Sequence, residues 1–247
     1  GGLIPMFLII GIWGGTRRVY LPDSPASMSI HEEYTIASQG PMMGVFNNLV
    51  LYDQKVAQAG MHSIVPDLAS AWSWNGEGTA LTFTLQQGVS WHDGKPFTAR
   101  DVKCTWDLLL GRATDKLRVN PRKTWYGNLD EVVVDGDHKV TFRMKRRQPA
   151  FLTMLASGFS PVYPCHVTPL QMRQSPVGTG PFRLATYAKQ HRFTLERFAD
   201  WYGHRPGSAP APGVAPSSIR RAGPPSNLRS LRCGAPASTH FAIVSIS

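Results

Sequence analysis

The stretch VPDLASAWSWNGEGTALTFTLQQGVSWHDGKPFTARDVKCTWDLLL, residues 65–110, carries the strongest structural signals in this chain. Apolar and polar residues alternate over 81–86, which is the period of a half-buried strand. A Gln-Gly pair at 87–88 predicts a turn that folds residues 89–91 back as a hairpin partner. The Asp-Gly pair at 93–94 marks a further tight turn. The first half of the stretch is therefore predicted to be β structure.

The second half of the stretch predicts a helix with recognisable ends. Thr98 has the character of an N-cap, and Asp101 follows it three residues later, close to a capping box. The helix is expected to run from Ala99 to Leu110 and to end at Gly111, a common C-terminal stop. Strand, turn and capped helix in succession indicate a mixed α/β protein.

Outward from this stretch, turn residues and periodicity predict further elements. They are a strand from Gly14 to Tyr20, a helix from Tyr34 to Leu51, a hairpin of Glu131–Val134 and Lys139–Met144, a short helix after Pro149, and a strand pair over 180–187 and 192–198. Pattern alone therefore indicates a mixed α/β protein that is rich in hairpins.

Composition separates the chain into two parts near Gly203. The chain has 247 residues, 42% of them hydrophobic, which suffices for a sizeable core, and its net charge is +10. From Gly203 onward there are five Arg, no Lys and no acidic residue, and Pro, Gly, Ser and Ala dominate. Such a composition cannot bury enough apolar surface to offset its ordering entropy, so we predict disorder there. Only the terminal FAIVSIS could pair as a strand.

Four sequence features could carry chemistry, and a structural role is favoured for each. Cys165-His166 could form a thiol nucleophile and base, and His92-Asp93 a general base pair, but adjacent residues rarely do so and the second pair suits a turn. The GTGPF motif at 178–182 lacks the Gly-Lys-Ser/Thr of a phosphate loop. The histidines have no zinc-ligand spacing. The three cysteines contain no CxxC pair, and we expect free thiols.

Several ordered motifs resemble those of bacterial solute-binding proteins of family 5, the peptide/nickel class of ABC importers. The whole of 65–110 is similar to the family's signature region. The resemblance continues in GNLDEVVVDGDHKVTFRMKRRQPAFLTMLA (127–156), SPVGTGPFRLATY (175–187) and LERFADWY (195–202). Together these motifs cover about Gly14 to Tyr202, and their order makes the resemblance specific.

The resemblance implies a two-lobed clamp with the ligand between the lobes. The expected fold is a mixed α/β, periplasmic-binding-protein-like (type II) lobe one with an inserted hairpin-rich α+β domain. We expect an apolar leader remnant at 1–13, lobe one at 14–48 and 177–202, the inserted domain at 49–176, and a low-complexity tail at 203–247. The second lobe is expected to be missing.

Both ends of the chain raise expectations of their own. The apolar run at 1–13 lacks a basic region and a small-residue cleavage site, so it is either an incomplete export signal or sequence foreign to the domain. Family members are roughly twice as long as this chain. The acid-free sequence after Gly203 suggests a frameshift or truncation, and a product without lobe two is expected to bind ligand weakly or not at all.

The resemblance implies capture of a solute outside the cytoplasmic membrane and its delivery to ABC permease subunits, and we expect the solute to be an oligopeptide. We expect a monomer that is not an enzyme, needs no cofactor, holds no metal and binds no nucleic acid. By position, Tyr34, Gln39, Trp125 and Phe159 are the predicted ligand-binding residues, since aromatic faces and an amide suit a ligand of mixed polarity. Two alternatives remain: a non-functional truncated product whose small domain still folds, and a basic adaptor or nucleic-acid-binding protein acting through its Arg-rich tail.

Overall fold

A computed structural model of the chain describes residues 17–21, 25–33, 35–188, 192–204 and 242–246. The helices are α1 Ile36–Met42, α2 Ala99–Leu110, α3 Phe151–Leu155 and α4 Pro169–Gln174. The strands are β1 Arg17–Leu21, β2 Val50–Tyr52, β3 Ile64–Pro66, β4 Ala69–Trp74, β5 Ala80–Leu85, β6 Leu129–Val134, β7 Lys139–Met144, β8 Phe182–Ala188, β9 Arg192–Arg197 and β10 Ala242–Ile246. The predictions for the leader at 1–13, for Tyr34 and for the tail arginines fall outside the described residues.

One four-stranded sheet is antiparallel, with the strand order β4-β5-β7-β6. Its inner face follows the alternation seen in the sequence, because Leu81, Phe83 and Leu85 are buried while Thr84 is exposed. Val140, Phe142 and Met144 of β7 are buried in the same way. The predicted hairpin of β6 and β7 is confirmed, and its turn contains Gly136 at φ 68°.

Helix α2 covers the inner face of this sheet. Trp106 of α2 lies edge-on to Phe142, with 4.9 Å between the ring centroids. Both predicted ends are confirmed, since Thr98 and Asp101 form a capping box and Gly111 has the left-handed conformation at φ 74°. Local sequence was sufficient here because the end signals and the apolar face agree.

The predicted hairpin between β5 and residues 89–91 is wrong. Both edges of β5 are occupied, by β4 on one side and β7 on the other. Gly88, at φ 68°, turns the chain away, and Val89 and Trp91 become buried core residues rather than a paired strand. The apolar positions were recognised, but the strand's partners come from distant parts of the chain.

The predicted helix from Tyr34 to Leu51 is also wrong, since α1 ends at Met42. The helix-like spacing of the later residues arises because an irregular segment contributes to two separate cores. Val45 and Phe46 belong to a smaller core, whereas Leu49 and Val50 belong to the large one around α2. Residues buried in two different cores therefore had the same spacing along the chain as residues on one face of a helix.

A second sheet has the strand order β1-β10-β9-β8. The predicted strand pair is confirmed as the antiparallel hairpin of β8 and β9, and the first predicted strand is observed as β1. Within the terminal FAIVSIS segment, Ala242–Ile246 form β10, which lies antiparallel to β1 and parallel to β9. The prediction that this segment could pair as a strand is therefore confirmed for these residues, whose backbone groups pair on both edges.

A disulfide between Cys104 and Cys165 corrects the expectation of free thiols. Their Cα atoms are 5.5 Å apart although 61 positions separate them in sequence. The bond joins α2 to the loop that precedes α4. Backbone contacts support the same junction, since Tyr163 N–H donates to Thr105 Oγ1 at 2.9 Å and Cys165 N–H donates to Asp101 Oδ1 at 2.9 Å. Within the described ranges, no helix is long and apolar enough to cross a membrane.

Candidate ligand-binding surface

Two of the predicted ligand-binding residues meet on the surface. Trp125 and Phe159 are 34 positions apart in sequence, yet their rings make an edge-to-face contact with centroids 5.9 Å apart and planes at 80°. Trp125 is 41% exposed, which is unusual for a large aromatic residue and leaves its ring open to a ligand. We call Trp125 and Phe159 the aromatic pair.

Arg122 lies beneath the aromatic pair and was not among the ligand-binding residues predicted from the sequence. Its Cζ is 4.4 Å from the Phe159 ring centroid and 5.9 Å from that of Trp125, both within cation–π range. The residue is only 2% exposed. Arg122 stands in an irregular loop with no periodicity, so nothing local indicated that it would be buried.

The guanidinium of Arg122 is held by the backbone of a neighbouring segment. Nη1 donates to the carbonyl oxygen of Ile30 at 2.6 Å, and Nη2 donates to that of Glu33. Burial lowers the pKa of Arg122, although an arginine remains protonated at neutral pH. The side chain thus joins the aromatic pair to residues 30–33, which we call the 30–33 segment.

The 30–33 segment is fixed by further buried contacts. His31 N–H donates to Tyr163 Oη at 3.3 Å, and His31 Nε2 donates to the Pro161 carbonyl at 2.8 Å. Burial lowers the pKa of His31 to about 3, so this ring is neutral at neutral pH. Glu32 is buried and pairs with Arg173, with 2.8 Å between Oε1 and Nη1. The segment therefore presents a rigid backbone beside the aromatic pair.

The remaining predicted residues are placed less directly. Gln39 lies in α1, one turn before Met43, and a Cβ added to Gly158 would stand only 2.3 Å from Met43 Cε. This approach brings the end of α1 close to the loop that carries Phe159. Gln39 Nε2 is buried without a hydrogen-bond partner among the described residues. Tyr34 is not among the described residues, and the ligand role of all four residues stays a prediction.

The GTGPF motif packs against backbone and leaves no room for a phosphate. A Cβ on Gly178 would lie 1.9 Å from the Val45 carbonyl oxygen. Gly180 N–H donates to that same oxygen at 2.9 Å. Both glycines are required because two backbone segments meet with no space for a side chain. The motif is therefore a structural junction.

His92 is part of this junction and has no free nitrogen. Gly178 N–H donates to Nδ1 at 3.2 Å, so the proton is on Nε2, which donates to the Gly180 carbonyl at 2.9 Å. Burial lowers the pKa of His92 to about 4, although the Gly180 bond opposes this shift. A neutral ring with both nitrogens occupied cannot serve as a general base. Its sequence neighbour Asp93 instead contacts His166, with 2.6 Å between Oδ2 and Nε2.

The proposed Cys165-His166 dyad is excluded by the disulfide, which removes the thiol nucleophile. Among the residues that the structure describes, no group of three or more His, Cys, Asp or Glu side chains could hold a metal ion. An open depression of about 620 Å³ lies beside the disulfide, where residues of both charges line it. It shares no lining residue with the aromatic pair.

Comparison with known proteins identifies the family. A sequence model described as "Bacterial extracellular solute-binding proteins, family 5 Middle" matches residues 63–212, more than half of the chain. The dipeptide-binding protein of Escherichia coli (strain K12) is 28% identical over an alignment of 182 residues, and the match covers 65% of this chain and 34% of that protein. Probable di/tripeptide-binding protein 5 of Pseudomonas aeruginosa (strain UCBPP-PA14) is 25% identical over 76% of this chain and 39% of its own length. The chain thus spans about a third of these relatives.

Solved structures show the same fold. The oligopeptide-binding protein AppA from Bacillus subtilis, in complex with a nonapeptide, superimposes with a TM-score of 0.62 at 23% identity, covering 74% of this chain and 36% of that one. A dipeptide-binding protein from a Pseudoalteromonas species, in complex with Met-Leu, gives 0.65 at 20% identity over 90% and 41%. These neighbours confirm the prediction of a mixed α/β lobe of the type II periplasmic-binding-protein class. The chain belongs to the bacterial extracellular solute-binding proteins of family 5.

Proposed function

We propose that the chain is part of the extracytoplasmic solute-binding component of an ABC importer, and that its ligand is an oligopeptide. The observation that carries this proposal is the family match over 63–212. It is supported by the names of relatives, which include ABC transporter peptide-binding proteins from Brucella and a dipeptide-binding protein. The protein would act as a monomer that delivers its ligand to membrane permease subunits.

The aromatic pair and Arg122 suit such a ligand. An exposed indole offers apolar contact to peptide side chains, and the fixed backbone of the 30–33 segment offers polar groups close by. A small number of polar groups beside aromatic faces favours binding of mixed-polarity ligands. Capture would then proceed by closure of two lobes around the peptide, a population shift driven by ligand contacts to both.

The disulfide supports an extracytoplasmic location. Disulfides form and persist in oxidising compartments such as the periplasm and are rare in the cytosol. Cys104 is half-buried and Cys165 is exposed, so reductants of the cytosol could reach the bond and keep both residues as free thiols. A role without catalysis agrees with the described histidines of the sequence motifs, which serve as structural contacts.

The domain division remains a proposal that two separate cores support. The larger core runs from Leu49 to Val162 and also includes Tyr202, consistent with an inserted domain at 49–176. The smaller core contains Met28 and Phe46 together with Phe193 and Leu195, as a discontinuous lobe one requires, and the end of the proposed inserted domain also packs into it through Tyr163 and Met172. We place the crossings at 48–49 and 176–177, next to the GTGPF junction.

Calorimetric titration tests the proposed function. The whole solute-binding component of which this chain is proposed to be part, purified from its native bacterium, would be titrated with Ala-Phe, Ala-Phe-Ala and Ala-Phe-Ala-Phe, since this chain without lobe two is expected to bind weakly or not at all. We expect saturable binding of at least one peptide, and a loss of affinity of about tenfold in Trp125→Ala, because a central aromatic contact is worth 1–2 kcal/mol or more.

Met61→Ala is the matched control, because Met61 is 55% exposed and takes no part in the ring and cation–π contacts of the aromatic pair. It should bind the peptides with unchanged affinity. Absence of saturable binding to all three peptides, or equal affinities for Trp125→Ala and the unaltered protein, would contradict the proposal.

A further inference from the structure

Arg122 is a buried cation that forms no direct ion pair among the described residues, although the nearby Glu33 side chain stabilises its charge. It is 2% exposed, and none of the ion pairs in the described part of the chain includes it. Burying a charge without compensation is costly, so such a residue needs other stabilising contacts. Here two carbonyl oxygens and two aromatic faces supply them.

The geometry of these contacts requires a guanidinium. The two carbonyls belong to Ile30 and Glu33, three positions apart on one turn, and they are reached by separate nitrogens of one planar group. The same plane stands over the Phe159 ring at 4.4 Å. A lysine ammonium can donate to two carbonyls only when both approach its single nitrogen, and it has no planar group to place over a ring.

We infer that Arg122 is a positioning residue, which fixes the aromatic pair against the 30–33 segment and so sets the shape of the ligand-binding surface. The structural part of this role is independent of the proposed function, whereas its effect on ligand affinity rests on that proposed function. With 2% exposure under Phe159, Arg122 acts through Trp125, Phe159 and the segment's backbone rather than by touching the ligand.

The first test needs no ligand. Hydrogen–deuterium exchange would be followed on a proteolytic peptide covering residues 28–33. In this peptide the amide of His31 donates to Tyr163 Oη and the amide of Glu33 donates to the Ile30 carbonyl. We expect exchange at least about tenfold faster in Arg122→Met, and an intermediate rate in Arg122→Lys, because charge-assisted bonds to the segment are lost. Exchange in α2 should not change.

Arg118→Met is the matched control. Arg118 lies in the same loop, but its side chain is 57% exposed and reaches Glu33 only at 3.7 Å. In Arg118→Met we expect the exchange rate of the 28–33 peptide to change by less than about threefold, because an exposed ion pair contributes little stability. Arg122→Lys keeps the charge, so it preserves the test if Arg122→Met does not fold.

The second test measures Ala-Phe-Ala binding to Arg122→Lys, for which we expect about tenfold weaker affinity. Unchanged exchange in both Arg122 variants, or an equal effect in Arg118→Met, would overturn the positioning role. Accelerated exchange together with no peptide binding by the unaltered protein would support the positioning role and overturn the proposed function instead. The two ideas can therefore fail separately.

Discussion

Single residues in the shared motifs hold segments together rather than perform chemistry. His92 is the clearest case, because its two nitrogens join the WHDG turn to both glycines of the GTGPF motif. The sequence suggested turn chemistry for this residue, and the structure adds that the ring is neutral and buried. A histidine held in this way makes stability depend on pH.

We predict that the free energy of unfolding falls as the pH is lowered from 6.5 to 4. The pKa of His92 is lowered to about 4, while an unfolded histidine titrates near 6.5. In this window the unfolded chain binds a proton that the folded ring does not, so stability is lost as the pH falls. The full His92 contribution is on the order of 3 kcal/mol, since the folded and unfolded pKa values differ by about 2.5 and each pKa unit corresponds to about 1.36 kcal/mol. Urea unfolding at pH 7 and pH 5 measures it.

Two other buried groups also have shifted pKa values, so a variant is needed to isolate the contribution of His92 to the pH dependence of stability. His31 acts in the same direction, with its pKa lowered to about 3 by burial. Asp67 acts in the opposite direction, because burial raises its pKa to about 6 and its folded form holds a proton that the unfolded form releases above pH 3.8. His92→Gln should therefore reduce the acid sensitivity, and the exposed His62→Gln should not. Equal pH dependence in both variants would contradict the assignment.

Gly178 provides a second prediction for a single residue. Its Cβ would stand 1.9 Å from the Val45 carbonyl oxygen, which is backbone and cannot move aside cheaply. Gly178→Ala should therefore lower the free energy of unfolding by about 3 kcal/mol or more. Gly76→Ala is the control, because nothing lies within 4 Å of its added Cβ. Chemical denaturation that finds the two variants equally stable would refute the close approach.

Among the secondary-structure elements, β10 has the most consequential position. It is an internal strand, with β1 on one side and β9 on the other, so its backbone groups pair in both directions. Periodicity in FAIVSIS allowed a strand but could not identify its neighbours, since the pairing with β1 joins the two ends of the described chain.

We predict that Val244→Pro disrupts this second sheet selectively. Val244 pairs with Val19 on one side and Phe193 on the other, and proline cannot donate in an internal strand. Hydrogen exchange in β9 should accelerate at least about tenfold, while β5 in the other sheet keeps its protection. Accelerated exchange in β5 to the same degree, or none in β9, would contradict the separate placement of the sheets.

For the whole molecule, the disulfide joins α2 to the loop before α4, so it connects parts of the chain that no local interaction brings together. Cys165 lies four positions before α4, and its loop also contains Tyr163 of the smaller core. Cys104 lies on α2, the helix that covers the β4-β5-β7-β6 sheet. The bond therefore supports the packing between the two cores.

We predict that reduction of the disulfide lowers the free energy of unfolding by about 4 kcal/mol, the loop-closure value for a loop of this length. Urea unfolding with and without dithiothreitol measures the change. The double variant Cys104→Ser/Cys165→Ser should be equally destabilised, and further addition of reductant should not alter it. A double variant that still responds to reductant would show that another bond is responsible.

By itself, the sequence determined the elements whose signals are local: α2 with its capping box and terminal glycine, the β6–β7 hairpin, and the family motifs. These depend on contacts between residues only a few positions apart. Tertiary structure alone decided the partners of β5, the end of α1 at Met42, the Cys104–Cys165 pairing and the burial of Arg122. The physical reason is that these features depend on which segments meet in space. Backbone pairing, burial in one of two cores and the contacts of a cation with distant carbonyls and rings all involve residues far apart in sequence, and periodicity along the chain does not indicate which of them meet.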